Sequence, residues 1–536
     1  MLSIENRFSK MKQTLEEISV FTSNRYCRAF SVTAFLALLV FLFFYKILIF
    51  PEKFHIPFDL HGFHYPQAYE IFAALKQGYF PLWDPYAYSG MPLAGNITAQ
   101  LFYPPNIFFL KLSDWIYGTL PFRMLEYQLI SHYLLAGIGA YLLARSFCAS
   151  IQASILAAVI YQFGGFFASQ TQHLGLIDGA AWAPFLLFFL KRAYETRSLI
   201  FVSLSGLSLA LIILAGFPAL AVVTLTILSF CCVSIFVSDI QFSGVKDAAR
   251  ILMFLLLILI FSFGFAAIQI LPAVELSNLS ISQLRSFYGS IEGLPVEGHL
   301  SLIIPSLFGV GSRSYFGVSD FTMIYLYVAI VPLILSVLAI QFRKDKVTLL
   351  IVFITIFSLI WSLGTLTPVS TWLWIFIPHS LKGAIYPFCA KLFFDLGISL
   401  LAAFGLDCLR NRLKKEDLRK IKGLTKYLLF LLSGLLLVDI FVYAQASTLN
   451  EALERLHFFN FVQGINTLIL LLALFVAALY FRASHRISPS VFSVLLILIT
   501  LFDLFSFGSG KTFNTFEANS EEFLTTRTID GNSYPI

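Results

Sequence analysis

The sequence predicts an all-α, polytopic integral membrane fold of about thirteen transmembrane helices with a large first extracytoplasmic loop, and three observations carry that expectation. The chain is 58% hydrophobic and only 12% charged over 536 residues, with a mean hydropathy of +0.82, outside the range of soluble domains. Apolar runs long enough to span recur near 29–50, 121–144, 150–169, 175–190, 198–215, 217–238, 250–271, 322–342, 347–364, 388–409, 424–444, 461–481 and 488–507. Lys and Arg collect in every second connection: with the N-terminus in the cytoplasm, the inner segments hold 24 of the 36 basic residues although the outer loops are longer.

In chain order, Arg7, Lys10, Lys12, Arg25 and Arg28 precede the first run without a small-residue cleavage site, so that run is expected to stay as an anchor. It ends at Phe50 and Pro51, where the first outer loop, 51–120, begins. Within this loop YPQAYEIFAALKQG predicts a short helix, with Pro66 suited to a first turn, Gly78 past the end, and Tyr65, Tyr69, Phe72 and Leu75 on one face. The run 175–190 is the least regular, because it carries Asp178 and Pro184. Were it a re-entrant hairpin, every later loop would change sides and Arg410 to Lys426 would lie outside, against the charge pattern. An odd number of spans puts 508–536 outside, together with 272–321, 365–387 and 445–460. The expected organisation is one multi-span unit over 1–507 and a short extracytoplasmic tail over 508–536, native or the start of a truncated C-terminal domain.

Several function classes lack their parts. There is no Walker loop, dinucleotide fingerprint, HExxH or Gly-x-Ser-x-Gly, and no internal repeat of the kind that marks many transporters. The net charge of +6 follows topology rather than a nucleic-acid patch. Cys27, Cys148, Cys231, Cys232, Cys389 and Cys408 fit neither a metal site nor a disulfide framework. No metal site or cofactor is evident.

Chemistry concentrates in the outer loops. Asp59, His61 and His64 follow the first span closely, at a depth where a lipid-carried group would be presented. Trp83 and Tyr86 are suited to stacking on a sugar, although belt residues at an interface are the commoner case. His173, with Asp178, falls between the third and fourth runs and suits phosphate contact or proton transfer, while a lone His more often only satisfies a hydrogen bond. In the 272–321 loop Arg285 is the first candidate to hold a lipid phosphate, against the simpler reading of an interfacial anchor. Charged groups inside spans are functional candidates because lipid does not solvate them. Lys391 and Asp395, four apart in the run 388–409, are placed to pair, as a structural contact or as part of a site. Asp439 and Asp503, near span ends, read as structural.

The segment GYFPLWDPYAYSGMPLAGN with FYPPN, from Gly78 to Asn106, resembles the G-x-x-PLWNPY-x-x-x-G-x-PL…YPPN signature of the YfhO-like bacterial membrane proteins. GGFFASQTQH with AAWAP, LAGFPALAV, QILPAVELS, SLIIPSLFG and AKLFFDLGISLLAAFGLD follow in the same order, so the likeness covers about residues 30–510. Asp84 stands where the signature usually has Asn, and Tyr386, Pro387 and Lys391 stand where relatives tend to carry Arg beside Pro. That family is similar to the GT-C glycosyltransferases. The resemblance implies a bacterial cytoplasmic-membrane enzyme moving a sugar from a polyprenyl-phosphate donor to an envelope glycopolymer or glycolipid on the outer face. It implies Asp59 as the base, and Arg285 and Lys391 as phosphate partners with His173 in reserve. Two other readings stay open: a transporter or flippase of a lipid-linked intermediate, with Lys391 and Asp395 as its gate, and a non-catalytic envelope scaffold.

Overall fold

The computed structural model describes residues 27–280, 293–309, 315–317, 320, 322–376, 386–410, 415–445, 452–509, 514–518, 526–529 and 532–535. Each of the thirteen apolar runs contains a helix, in the order α1 (Cys27–Phe43), α2 (Tyr45–Ile49), α3 (Tyr65–Lys76), α4 (Pro104–Tyr117), α5 (Arg123–Ser146), α6 (Ile151–Phe163), α7 (Gly165–Ser169), α8 (Leu174–Thr196), α9 (Leu199–Leu214), α10 (Pro218–Phe242), α11 (Val245–Leu279), α12 (Ile330–Phe342), α13 (Lys346–Ser362), α14 (Pro368–Phe376), α15 (Lys391–Arg410), α16 (Lys415–Gln445), α17 (Ala452–Ala483) and α18 (Pro489–Gly508). Among the described residues, eight helical segments are long and apolar enough to cross a membrane. The chain is therefore an all-helical, multi-pass membrane protein. Its only strands among the described residues are two short pairs, β1 (Phe54–His55) with β2 (Phe516–Glu517) and β3 (Thr526–Ile529) with β4 (Asn532–Pro535).

Local chemistry explains the boundaries. Ser150, Asp345 and Ser488 cap α6, α13 and α18 by accepting from backbone N–H groups of the first turn, and Pro104, Pro218 and Pro489 begin helices where an N–H is not needed. The irregular run 175–190 proves to be a single 23-residue helix, α8, despite Pro184. The hairpin alternative is thereby removed.

Three runs depart from simple spans, of which 29–50 is interrupted at Phe44 between α1 and α2. The run 322–342 becomes helical only at Ile330; before it the chain is non-helical and buried, with Ser301 Oγ donating to Ile324 O at 2.7 Å and accepting from Leu326 N at 3.1 Å. Asp503 fixes the start of α12 by accepting from Ile330 N at 3.1 Å and from the Tyr327 hydroxyl at 2.6 Å, which gives this buried carboxylate the structural role the sequence suggested. The run 150–169 breaks at Gly164 into α6 and the short α7. A Cβ on Gly165 would meet the backbone of Leu326 at 2.7 Å, so the close approach of α7 to that segment needs a residue without a side chain.

Small residues bring the central helices together, as expected where lipid supplies no hydrophobic drive between them. An added Cβ would lie 2.0 Å from Leu335 O at Gly405 and 2.0 Å from Thr355 Oγ1 at Gly397. Accordingly α15 is buried along nearly its whole length, whereas α16 is peripheral. The segments expected outside meet at one end of the bundle: the first loop, the 170–173 turn, Thr322 and Asn514 are linked by hydrogen bonds or ion pairs. Those expected inside meet at the other, where Asp407 accepts from Ser150 N and Arg482 donates to the carbonyls of Leu409 and Arg410.

Candidate active site

The first loop is anchored before it reaches the site. Ile56 N donates to the buried Glu126 of α5 at 2.8 Å, and the Tyr65 hydroxyl donates to Leu120 O at 2.6 Å. Phe58 adopts a left-handed backbone (φ 64°) and its carbonyl accepts from both His61 and Gly62 N–H groups, opening a π-helical turn over Leu60–His64. Asp59 stands at the N-cap position of that turn without a side-chain capping bond. Strained backbone of this kind persists where surrounding structure enforces it.

His173 Nε2 lies 3.5 Å from Asp59 Oδ2; the carboxylate is 54% exposed and the imidazole 20%. The imidazole orientation is set by its neighbours. Gln170 gives its amide N–H groups to Ser169 Oγ at 3.1 Å and Thr322 O at 2.7 Å, which leaves its Oε1 to accept from His173 Nδ1 at 2.8 Å. With the proton on Nδ1, the Nε2 lone pair faces Asp59. Burial lowers the His173 pKa below its ordinary value against the opposing pull of Asp59 and Asp320, which favours the neutral ring. Asp320 also accepts from Thr322 N at 2.7 Å and Thr322 Oγ1 at 2.6 Å, fixing the residue whose carbonyl holds Gln170.

Beneath this surface lie Lys391 and Asp395, and here the expectation needs correction: they do not pair with each other directly. Asp395 Oδ2 accepts from Phe166 N at 2.7 Å, at the first turn of α7, while Lys391 Nζ donates to Ser169 Oγ at 3.1 Å, at the last, and to Thr322 O at 3.0 Å and Met323 O at 3.3 Å. Four residues of helix rise about 6 Å, so the spacing on α15 equals the length of the five-residue α7. A carboxylate at the positive end and an ammonium at the negative end complement the dipole of α7, whose N-terminal amides the break at Gly164 would otherwise orphan. Both side chains are fully buried, and the three N–H groups of Lys391 each have an acceptor. Their hydrogen bonds hold the 165–173 segment, while Asp395 Oδ1 is buried with no hydrogen-bond partner among the described residues.

His64 is buried beneath the surface, its pKa lowered to about 3, mostly by burial and further by His173. His61 is lowered too, by burial and by His55. Trp83 and Tyr86 lie on an exposed turn of the same loop, where Trp83 packs over Gly90, and no hydrogen bond or ring contact among the described residues joins them to Asp59. That turn is held by Asp84, whose Oδ1 accepts from Tyr86 N at 2.8 Å and Ala87 N at 3.1 Å. An Asn amide oxygen would serve equally. Arg285 lies outside the described residues.

Two polar networks escaped the sequence reading, which named Asp178 but expected it outside with His173, whereas it is buried within α8. In the first, Asp178 Oδ2 accepts from Gln100 Nε2 at 3.0 Å and Gln128 Nε2 at 2.6 Å, and its Oδ1 lies 3.2 Å from His132 Nδ1. His132 Nε2 meets the Tyr103 hydroxyl at 2.7 Å, which accepts from Trp182 Nε1 at 2.8 Å, and Asn106 donates to Gln100 O. The YPPN element is thus tied to α5 and α8 by a buried polar network. The second is Asn514, wholly buried, which accepts from Thr171 Oγ1 and donates to Ala168 O and Gly508 O, binding the segment after α18 to the site turn. Polar residues inside the quoted motifs were the available signal; their partners, tens to hundreds of residues away, were not.

In structure the chain is similar to the apo form of the Archaeoglobus fulgidus oligosaccharyltransferase, at 14% identity and a TM-score of 0.45 over 94% of this chain and 58% of that one. It is similar to ArnT from Cupriavidus metallidurans bound to undecaprenyl phosphate, at 12% identity and a TM-score of 0.46 over 90% and 77%. It is similar to the mycobacterial arabinofuranosyltransferase AftD, at 14% identity and a TM-score of 0.39 over 70% and 24%. The chain spans little more than half the length of the oligosaccharyltransferase. No protein-family model matches the sequence, and no curated protein does.

Proposed function

We propose that the protein is a YfhO-like, GT-C-type membrane glycosyltransferase that moves a sugar from a polyprenyl-phosphate donor to an envelope glycopolymer or glycolipid on the outer face of the bacterial cytoplasmic membrane. The observation that carries this reading is the half-exposed Asp59 carboxylate set against the Nε2 of His173, which also meets Gln172 Nε2 at 3.5 Å, at the mouth of a membrane-embedded bundle. In a direct inverting transfer the acceptor hydroxyl oxygen bonds to the anomeric carbon as the bond to the carrier phosphate breaks, and the hydroxyl proton goes to Asp59. His173 Nε2 is placed to share that proton. The polyprenyl phosphate leaves with the bond's electron pair, steadied by a cation for which Arg285 is the proposed source. Lys391 acts through α7, and Trp83 and Tyr86 are proposed to receive sugar on the exposed part of the loop. The transporter reading needs Lys391 and Asp395 as a gate, whereas both are committed to the ends of α7.

The test is transfer from a polyprenyl-phosphate sugar by purified protein. Asp59→Asn is expected to lose about 100-fold to 10,000-fold in rate with an unchanged unfolding midpoint, since a half-exposed pair contributes about 0–1 kcal/mol. Near-normal transfer by Asp59→Asn would overturn the assignment.

A further inference from the structure

Away from Asp59, helices α3 and α4 of the first loop pack side by side and enclose a crevice of ≈ 330 Å³. Phe72, Leu75 and Leu110 form its apolar lining, and Lys76, Lys111, Asp114 and Trp115 its polar part. Lys76 Nζ donates to Gly118 O, the carbonyl that ends α4. Lys111 forms no hydrogen bond or ion pair among the described residues. Two ammonium groups against one carboxylate leave the crevice with a net positive charge.

The surrounding surface says what kind of molecule reaches it. On α4 the residues Phe108, Lys111 and Trp115 follow the i, i+3, i+7 spacing of one helix face, and that face points away from the protein. Phe108 is 60% exposed and Trp115 83% exposed, while the opposite face, with Asn106, Leu110 and Ser113, is buried. An outward face made of a Phe, a Trp and a Lys belongs at a membrane interface, where the rings sit at headgroup level and the ammonium reaches phosphate.

We propose that the α3–α4 crevice binds the phosphate of an anionic phospholipid headgroup, with Lys76 and Lys111 as the cations and Trp115 at its rim. The site is separate from the Asp59–His173 pair, and its occupation would hold the first loop at a fixed depth on the membrane surface. A free phosphate offers the same charge without the apolar chain that the Phe108 and Trp115 face would meet.

The experiment uses the full chain in lipid nanodiscs, with Trp115 fluorescence isolated as the difference between wild type and Trp115→Phe. Brominated phosphatidylglycerol is expected to quench this emission more strongly than brominated phosphatidylcholine at equal mole fraction. Lys76→Gln and Lys111→Gln should each reduce the preference about five-fold, the effect of one interfacial lysine, and inorganic phosphate in the buffer should leave it unchanged. Equal quenching by the two lipids in the wild type, absence of quenching by either, or loss of the preference on adding inorganic phosphate would each overturn the proposal.

Discussion

Exchanging the charges of Lys391 and Asp395 separates a mutual pair from a clamp on α7. The double variant Lys391→Asp/Asp395→Lys keeps both charges, their spacing and their neutral sum, so a self-contained pair would tolerate it. The clamp would not. An ammonium would face Phe166 N–H, and a carboxylate would face Ser169 Oγ and the carbonyls of Thr322 and Met323. Losing the three hydrogen bonds to Phe166 N, Thr322 O and Met323 O costs about 1.5–3 kcal/mol each, and reversing the charges at the two ends of α7 adds up to about 2 kcal/mol at each. The expected loss is therefore about 5–13 kcal/mol, comparable with the 5–15 kcal/mol typical of a folded domain. Thermal unfolding of detergent-purified protein, followed by circular dichroism and by monodispersity on size exclusion, measures it. Lys391→Gln and Asp395→Asn give the single-site references, and the exchange is expected to be worse than either. An exchanged variant that unfolds at the wild-type midpoint would refute the clamp.

Other consequences can be checked independently. Asp84→Asn is expected to leave stability unchanged, because one carbonyl oxygen still meets Tyr86 N and Ala87 N, whereas Asp84→Ala should cost about 1–3 kcal/mol; equal midpoints for the two would sink the turn assignment. His64 gives a pH dependence of defined sign. Its folded pKa, about 3, lies below its unfolded value of about 6.5, so its contribution is intact above pH 6.5 and is lost as pH falls, by about 2 kcal/mol between pH 7 and 5. His64→Gln should flatten that slope in unfolding measured across this range, and an unchanged slope counts against the buried neutral imidazole. Asp178→Ala would remove one of the two acceptors of each of the Gln100 and Gln128 amides, which keep Ala215 O and Gln100 Oε1, at about 1–3 kcal/mol in all, and a wild-type midpoint would exclude the network from holding the YPPN element. For topology, an impermeant thiol reagent on intact spheroplasts is expected to label Gly62→Cys and to spare Lys414→Cys, with labelling of the latter refuting the orientation.

The helices and their rough limits were legible in the sequence because membrane insertion acts on local composition: each span is read from about twenty consecutive residues. Their connections were legible too, since Pro, Gly and capping residues act within one turn. The same locality explains the failures. The spacing of Lys391 and Asp395 admitted a pair, and nothing within α15 could show that α7, more than 200 residues earlier, would lie between their functional atoms. The run 322–342 looked like one helix because its apolar composition does not reveal that Ser301 and Asp503 satisfy the backbone in another conformation. In the site, Asp59 and His173 were each named from the sequence as separate candidates. What joined them was tertiary: the first loop brought back onto the 170–173 turn, and Gln170 of that turn, which orients the imidazole, held by Thr322 and Asp320 from a distant segment. Sequence by itself determined which segments enter the membrane and which polar groups are costly there. Only the fold decided which of those groups meet, because hydrogen-bond partners inside a bundle are chosen by packing rather than by order along the chain.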